Sequence, residues 1–232
     1  MHVTAIIVAA GDGKRMGGAT SKTFLPIAGR PLVLRTLDRF LSARSIEKVI
    51  LVVPGKELRN SQTLIQDDSH LCQRSCVLQA GGASRQESVR LGLAALDADC
   101  EIVVIHDGAR PFVSSSLIDR CVNEAYRVGA VVIGVPARDT IKIVSEEHWV
   151  QATPARNTLW EIQTPQVFRK EVIMEAHDWG VRQAIEATDD AMLVERIGKP
   201  VFLIEGERTN IKITVPEDVL LAEALLRDGR VS

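Results

Sequence analysis

Apolar residues in this chain recur in two forms: short unbroken runs rich in Val and Ile, and longer stretches with apolar positions three or four apart. The unbroken runs at 3–8, 48–53, 76–79, 101–105, 130–135 and 200–204 predict buried strands. Between them, 31–41 predicts a helix, 56–66 a polar helical stretch, and 116–128 a helix stopped by Gly129. Ser84-Arg85-Gln86-Glu87 has capping-box spacing and opens a helix with Val89, Leu93 and Leu96 on its apolar face. Thr188-Asp189-Asp190 starts another, with acidic residues where the helix dipole favours them. A last strand is predicted at 210–214 and a closing helix at 216–226, with Pro216 at its first position. Near-continuous Val/Ile strands alternating with helices imply an α/β fold: a mostly parallel, doubly wound sheet covered on both faces.

One stretch breaks the alternation. Over 137–163 no crossover helix occurs, and 140–144 and 148–151 predict a hairpin turning at Ser145-Glu146-Glu147. This is an extended β-arm and a candidate dimerisation element. Its apolar residues Ile141, Ile143 and Trp149 would be poorly buried on a lone monomer. No repeat, low-complexity segment or linker divides the rest, so residues 1–232 are expected to form a single domain.

Composition narrows the function classes. With 46% hydrophobic and 25% charged residues the chain is ordinary for a globular protein. A net charge of −2 argues against bulk nucleic-acid binding and makes any basic cluster local. No apolar run approaches the ~18 residues of a membrane span. The first residues enter a strand without a signal-peptide profile. Cys72, Cys76, Cys100 and Cys121 are scattered, without the paired spacing of a zinc site. A cytoplasmic protein with incidental thiols is expected.

The residues that promise chemistry follow predicted strands, where ligands of parallel sheets bind. Gly11, Gly13 and Gly17 let backbone N–H groups approach a ligand, and Lys14, Arg15 and Lys22 gather positive charge around the same loop. That combination suits a polyphosphate. It is not a Walker loop, and Met16 occupies the third glycine position of a dinucleotide fingerprint. Gly81 and Gly82 precede a capped helix and expose backbone groups able to read the edge of a small base. Asp107, at the end of a buried strand, suits a metal or a sugar hydroxyl, and Arg110 suits a phosphate. Lys212 lies among Ile and Val residues and so calls for an anionic partner.

The run Ala9-Ala10-Gly11-x-Gly13-x-Arg15-Met16-Gly17 with Lys22 resembles the signature of nucleotidyltransferases that activate sugars and polyols with a nucleoside triphosphate. Further segments narrow the resemblance. They are Gly81-Gly82-x-x-Arg85-Gln86-x-Ser88-Val89, His106-Asp107-Gly108-Ala109-Arg110-Pro111-Phe112, Asp139-Thr140-Ile141-Lys142 and Gln163-Thr164-Pro165-Gln166-x-Phe168. Thr188-Asp189-Asp190-Ala191 and Asn210-Ile211-Lys212-Ile213-Thr214-x-Pro216-Glu217-Asp218 complete the set. In this order they resemble the 2-C-methyl-D-erythritol 4-phosphate cytidylyltransferases of non-mevalonate isoprenoid synthesis. Two positions depart from the pattern: Thr23 follows Lys22 where glutamine is common, and Ala155 precedes Arg156 where an acidic residue is common.

The resemblance implies a Rossmann-like nucleotidyltransferase, a homodimer with an exchanged arm, and cytidylyl transfer from CTP to a polyol phosphate. Mg2+ would be bound mainly through the CTP phosphates, with no metal site built by the protein. Arg15 and Lys22 would stabilise the α-phosphate, while Arg156 and Lys212 position the attacking phosphate, assisted by Arg110, Thr140 and Thr164. Ala10, Gly11, Gly13, Gly81, Gly82, Arg85 and Ser88 would form the nucleotide site, and Asp107 would sit between nucleotide and polyol. Three alternatives stay open at this point: a ribitol 5-phosphate cytidylyltransferase, a dinucleotide-binding redox enzyme and a catalytically silent nucleotide sensor.

Overall fold

The computed structural model describes residues 1–11, 24–72 and 75–231. All six Val/Ile runs form strands, several longer than the apolar run alone. In chain order the elements begin with β1 (Val3–Val8), a small hairpin of β2 (Pro26–Ile27) and β3 (Arg30–Pro31), α1 (Leu32–Leu41) and β4 (Lys48–Val53). They continue through α2 (Leu58–Asp67), β5 (Cys76–Ala80), α3 (Arg85–Ala94), β6 (Ile102–Asp107), α4 (Ser115–Val128) and β7 (Ala130–Pro136). The arm carries β8 (Ile143–Val144) and β9 (Val150–Ala152). After it come β10 (Trp160–Arg169), α5 (Lys170–Arg182), α6 (Asp190–Arg196), β11 (Phe202–Glu205) and α7 (Pro216–Arg227).

The central sheet has seven strands in the order β11-β7-β10-β6-β1-β4-β5. All neighbouring pairs are parallel except those of β10, which runs antiparallel to both β6 and β7. Apolar clusters fill both faces. One gathers α1 and α4 against Ile7, Leu51 and Val104; the other gathers α3, α5 and α6 against Ile6, Val52 and Ile105. Each of these fully buried side chains contributes about 1.5–3 kcal/mol of transfer free energy. No helix among the described residues is long and apolar enough to cross a membrane.

Three features differ from the sequence expectation. β10 is absent from the hydrophobic pattern because its centre is polar: Gln163, Thr164 and Gln166 are buried, and Pro165 interrupts the run. The ladder to β7 shifts register between Gln163 and Gln166, so the proline needs no ladder N–H there. α5 is likewise absent from the expected elements, although its buried residues Ile173, Ala176, His177 and Gly180 have helical spacing. Two of those four are His and Gly, which weakens the apolar signal. Conversely, 210–214 is not a strand. Besides local turn bonds, it is tied to the body by Ile213 N–H donating to Ala109 O at 2.9 Å and by Ile213 packing against Ile27, Leu32 and Phe112.

The arm leaves the sheet over 137–159, its stem closed by Ala137 N–H donating to Leu159 O at 3.0 Å. The last four residues of the 137–163 excursion already pair with β7, from Trp160 opposite Pro136 to Gln163 opposite Ile133. Its antiparallel hairpin is shorter than the strands expected at 140–144 and 148–151. Trp149 is 76% exposed, and Ile141, Ile143, Val144 and Val150 are also exposed on the described chain.

Candidate functional site

Three strand ends place their loops side by side. Ala9, Gly81 and Gly108 each donate a backbone hydrogen bond to the neighbouring strand end, at 2.7–2.8 Å, to Val52, Val53 and Val8 carbonyls respectively. The loops after β1 and β5 touch: a Cβ on Gly81 would lie 2.3 Å from the Cβ of Ala10, so only glycine permits this approach. Ser84 caps α3, accepting from Glu87 N–H at 3.1 Å. The Glu87 carboxylate reaches back to Ala83 N–H at 2.7 Å rather than to Ser84 itself. The Ser88 hydroxyl accepts from Gly82 N–H at 3.1 Å and donates to Ser84 O at 2.8 Å, fixing the glycine turn from beneath.

Asp107 closes β6 and is the electrostatic centre. Its Oδ1 accepts from Arg85 Nε at 3.0 Å, and its Oδ2 lies 2.6 Å from Lys212 Nζ. Burial alone would raise its pKa, but the Arg85 and Lys212 charges outweigh it and hold the carboxyl well below the usual range. Arg85 also donates through Nη1 to Asp190 Oδ2 at 2.7 Å, and Asp190 Oδ1 pairs with His177 Nε2 at 3.0 Å. Burial opposes the charge on Arg85, but the two carboxylates prevail and its pKa is raised. The anionic partner expected of Lys212 is therefore Asp107.

A neutral hydrogen-bonded chain supports the backbone of the same residue. Asp107 N–H donates to the Thr164 hydroxyl at 3.1 Å, which donates to His106 Nδ1 at 3.0 Å. His106 Nε2–H in turn donates to Arg110 O at 2.9 Å, fixing the neutral tautomer. Burial, with the Phe40 ring 4.6 Å away centroid to centroid, pushes the His106 pKa down to about 4. Arg110 Nη1 donates to Asn210 O at 2.8 Å, and Asn210 Nδ2 donates to Thr164 O at 2.9 Å. Lys212 helps line a hollow of about 420 Å3, whose charged lining also includes Arg110, Arg138, Arg208, Asp139 and Glu161.

Residues 3–228 match the family profile described as 2-C-methyl-D-erythritol 4-phosphate cytidylyltransferase. A relative of that name from Geobacillus kaustophilus is 46% identical over 227 residues, covering 97% of each chain. Another, from Desulforamulus reducens, is 43% identical over 97% of this chain and 96% of its own. The crystal structure of 4-diphosphocytidyl-2C-methyl-D-erythritol synthase from Anaerococcus prevotii is 32% identical, with a TM-score of 0.87 over 97% of this chain and 96% of that one. That of 2-C-methyl-D-erythritol 4-phosphate cytidylyltransferase from Thermus thermophilus is 38% identical, with a TM-score of 0.78 over 98% and 100%. The chain belongs to the 2-C-methyl-D-erythritol 4-phosphate cytidylyltransferase family.

Membership of this cytidylyltransferase family removes the dinucleotide-binding redox alternative. Ala10, Gly11, Gly81, Gly82, Ser88, Arg85, Asp107, Arg110, Thr164 and Lys212 gather at one edge of the sheet. Gly13, Arg15 and Lys22 lie outside the described residues. Thr140 and Arg156 stand apart on the exposed arm, where Arg156 Nη1 donates to Arg138 O at 3.1 Å. Arg85 (through Nε and Nη1), Ser88 and Thr164, expected to meet ligands, also make hydrogen bonds to protein partners. Sequence reasoning quoted His106 and Asp190 within motifs without giving their side chains a role, and missed His177. Asp190 reads as a helix-dipole residue, whereas Asp189 supplies the α6 cap, accepting from Met192 N–H at 2.9 Å. Among the described residues no group of three or more His, Cys, Asp or Glu is placed to hold a metal ion.

His106 yields a pH-dependent outcome. Unfolding restores its ordinary value of 6.5, so between pH 6.5 and about 4 the unfolded chain binds a proton that the folded chain refuses. Its contribution to stability is therefore full above pH 6.5 and is lost as pH falls toward 4. Long-range 1H–15N spectra should show His106 neutral, with its proton on Nε2, at pH 5.5; a protonated imidazolium there would contradict the assignment.

Proposed function

We infer that this chain transfers a cytidylyl group from CTP to 2-C-methyl-D-erythritol 4-phosphate, giving CDP-methylerythritol and pyrophosphate in isoprenoid precursor synthesis. The family match over residues 3–228 carries this function. The cited relatives all bear methylerythritol names, which disfavours the ribitol 5-phosphate alternative.

The chemistry suits a site with paired charges and no nucleophilic triad. The substrate phosphate, with a second pKa of about 6, is already largely dianionic at pH 7. One of its oxygens forms a bond to the α-phosphorus of CTP as the α–β phosphoanhydride bond breaks, and pyrophosphate leaves. The protein must hold two polyanions in line and offset charge as it moves. Arg15 and Lys22 stabilise the α-phosphate. Lys212 holds the attacking phosphate with ammonium protons not aimed at Asp107, so it need not abandon its 2.6 Å pairing. Arg110 lines the adjoining hollow and assists. The backbone of Ala10, Gly11, Gly13, Gly81 and Gly82 cradles the nucleotide, while Arg85, Ser88 and Thr164 hold those loops and Asp107 in place.

Mg2+ would be held mainly through the CTP phosphates. Such an ion would need little from the protein, since both oxygens of Asp107 are already paired with Arg85 and Lys212. When bound, it neutralises charge on the nucleotide phosphates. A homodimer accounts for the arm: its exposed Ile, Val and Trp residues suit a second copy, and Thr140 and Arg156 then complete the partner's site. Four free cysteines support a reducing, cytoplasmic setting.

Purified protein with Mg2+ should release pyrophosphate from CTP only when methylerythritol phosphate is present. Equal turnover of ribitol 5-phosphate, or a preference for UTP, would overturn the substrate assignment. Separately, mixing inactive Arg156→Ala and Lys22→Ala proteins should restore activity, because one site of each mixed dimer carries neither lesion. No recovery in mixed dimers confirmed by mass spectrometry would mean that Arg156 serves its own subunit.

A further inference from the structure

We propose that Asp190 is a positioning residue for cytidylyl transfer, holding Arg85 from behind so that Arg85 and Lys212 grip Asp107 from opposite sides; the proposal rests on the function inferred above. Arg85 is forked between two carboxylates, with Nε on Asp107 Oδ1 at 3.0 Å and Nη1 on Asp190 Oδ2 at 2.7 Å. Asp190 in turn accepts from His177 Nε2 at 3.0 Å. Lys212, Asp107, Arg85 and Asp190 thus alternate in charge along one chain that ends on a histidine. Asp190 and His177 are 1% and 2% exposed, so water does not take over their pairing.

An ionised carboxylate at such depth is costly, and a buried ion pair replaced as a whole by apolar residues of similar size is often as stable or more so. Local structure does not demand one either. Asp189 caps α6, and the Asp190 N–H is held at 3.2 Å by Gln166 Oε1, a bond any residue except proline would make. The carboxylate itself is turned to Arg85 and His177. Its consequence lies at the far end of the chain. An arginine pinned at both Nε and Nη1 has a fixed guanidinium plane. That plane sets the Asp107 carboxylate, which sets where Lys212 Nζ stands to receive a phosphate. Without Asp190, Arg85 is held only through Nε, the guanidinium is free to swing, its bond to Asp107 loosens, and uncompensated charge enters the site.

A double-mutant cycle in the cytidylyl-transfer assay decides this. Asp190→Asn should lower kcat by about 10- to 100-fold, the scale for losing an outer partner of a functional group. If Asp190 acts through Arg85, Arg85→Gln/Asp190→Asn falls no further than Arg85→Gln alone, to within about twofold. Losses that multiply would overturn the proposal. Should Asp190→Asn fail to fold, the double variant removes both charges together, and its comparison with Arg85→Gln tests the same coupling. A readout without turnover separates this claim from the assigned activity. The Arg85 Nε–H resonance should be protected from solvent exchange in the unsubstituted chain and lose that protection in Asp190→Asn. Unchanged protection would overturn the positioning role even if the chain proved inactive toward methylerythritol phosphate.

Discussion

The site depends on one carboxylate shared by two cations. Asp107 takes Arg85 on one oxygen and Lys212 on the other, and these residues come from parts of the chain far apart in sequence. Arg85 opens the helix after β5, Asp107 ends β6, and Lys212 lies on the irregular segment before the last helix. Joining them fixes the loops around the proposed nucleotide and polyol positions before any ligand arrives, and preorganised charge of this kind needs no rearrangement during the reaction. Buried ion pairs are weak sources of stability. The arrangement is better understood as a device for geometry.

β10 is the scaffold that makes this geometry possible. Inserted antiparallel between β6 and β7, it carries three buried polar side chains, each serving a different segment. Gln163 donates to Glu207 O, Thr164 links Asp107 N–H to His106, and Gln166 accepts from the first N–H groups of α6, including that of Asp190. The strand is polar at its centre because these side chains tie the Glu207 turn, the end of β6 and the start of α6 together. Burying such groups is tolerable only when they are hydrogen-bonded, and these are.

That same chemistry limits what the sequence discloses. The Val/Ile strands announce themselves because apolar burial drives them, and the turns at Gly81 and Asp107 follow from where those strands end. β10 hides because its burial is polar, and α5 because His177 and Gly180 occupy half of its buried face. Ile211 and Ile213 mimic a strand although side-chain packing, not a ladder, holds them. Within the site, Asp107, Arg110 and Lys212 are legible as charged residues in apolar settings. The partners of Arg85, Ser88 and Thr164 are not, since residue type reveals what a group is able to bond but not which bonds the fold has already made. Asp190 shows the converse: its helix position reads as helix-dipole chemistry, yet its carboxylate is buried against Arg85 and His177.

The most direct measurement is a 13C titration of the Asp107 carboxyl carbon in the unliganded protein. With Arg85 and Lys212 both paired to it, the signal should keep its ionised position from neutral pH down to the onset of acid unfolding. A titration step near the ordinary aspartate value of 3.8 would contradict a carboxylate shared between Arg85 and Lys212.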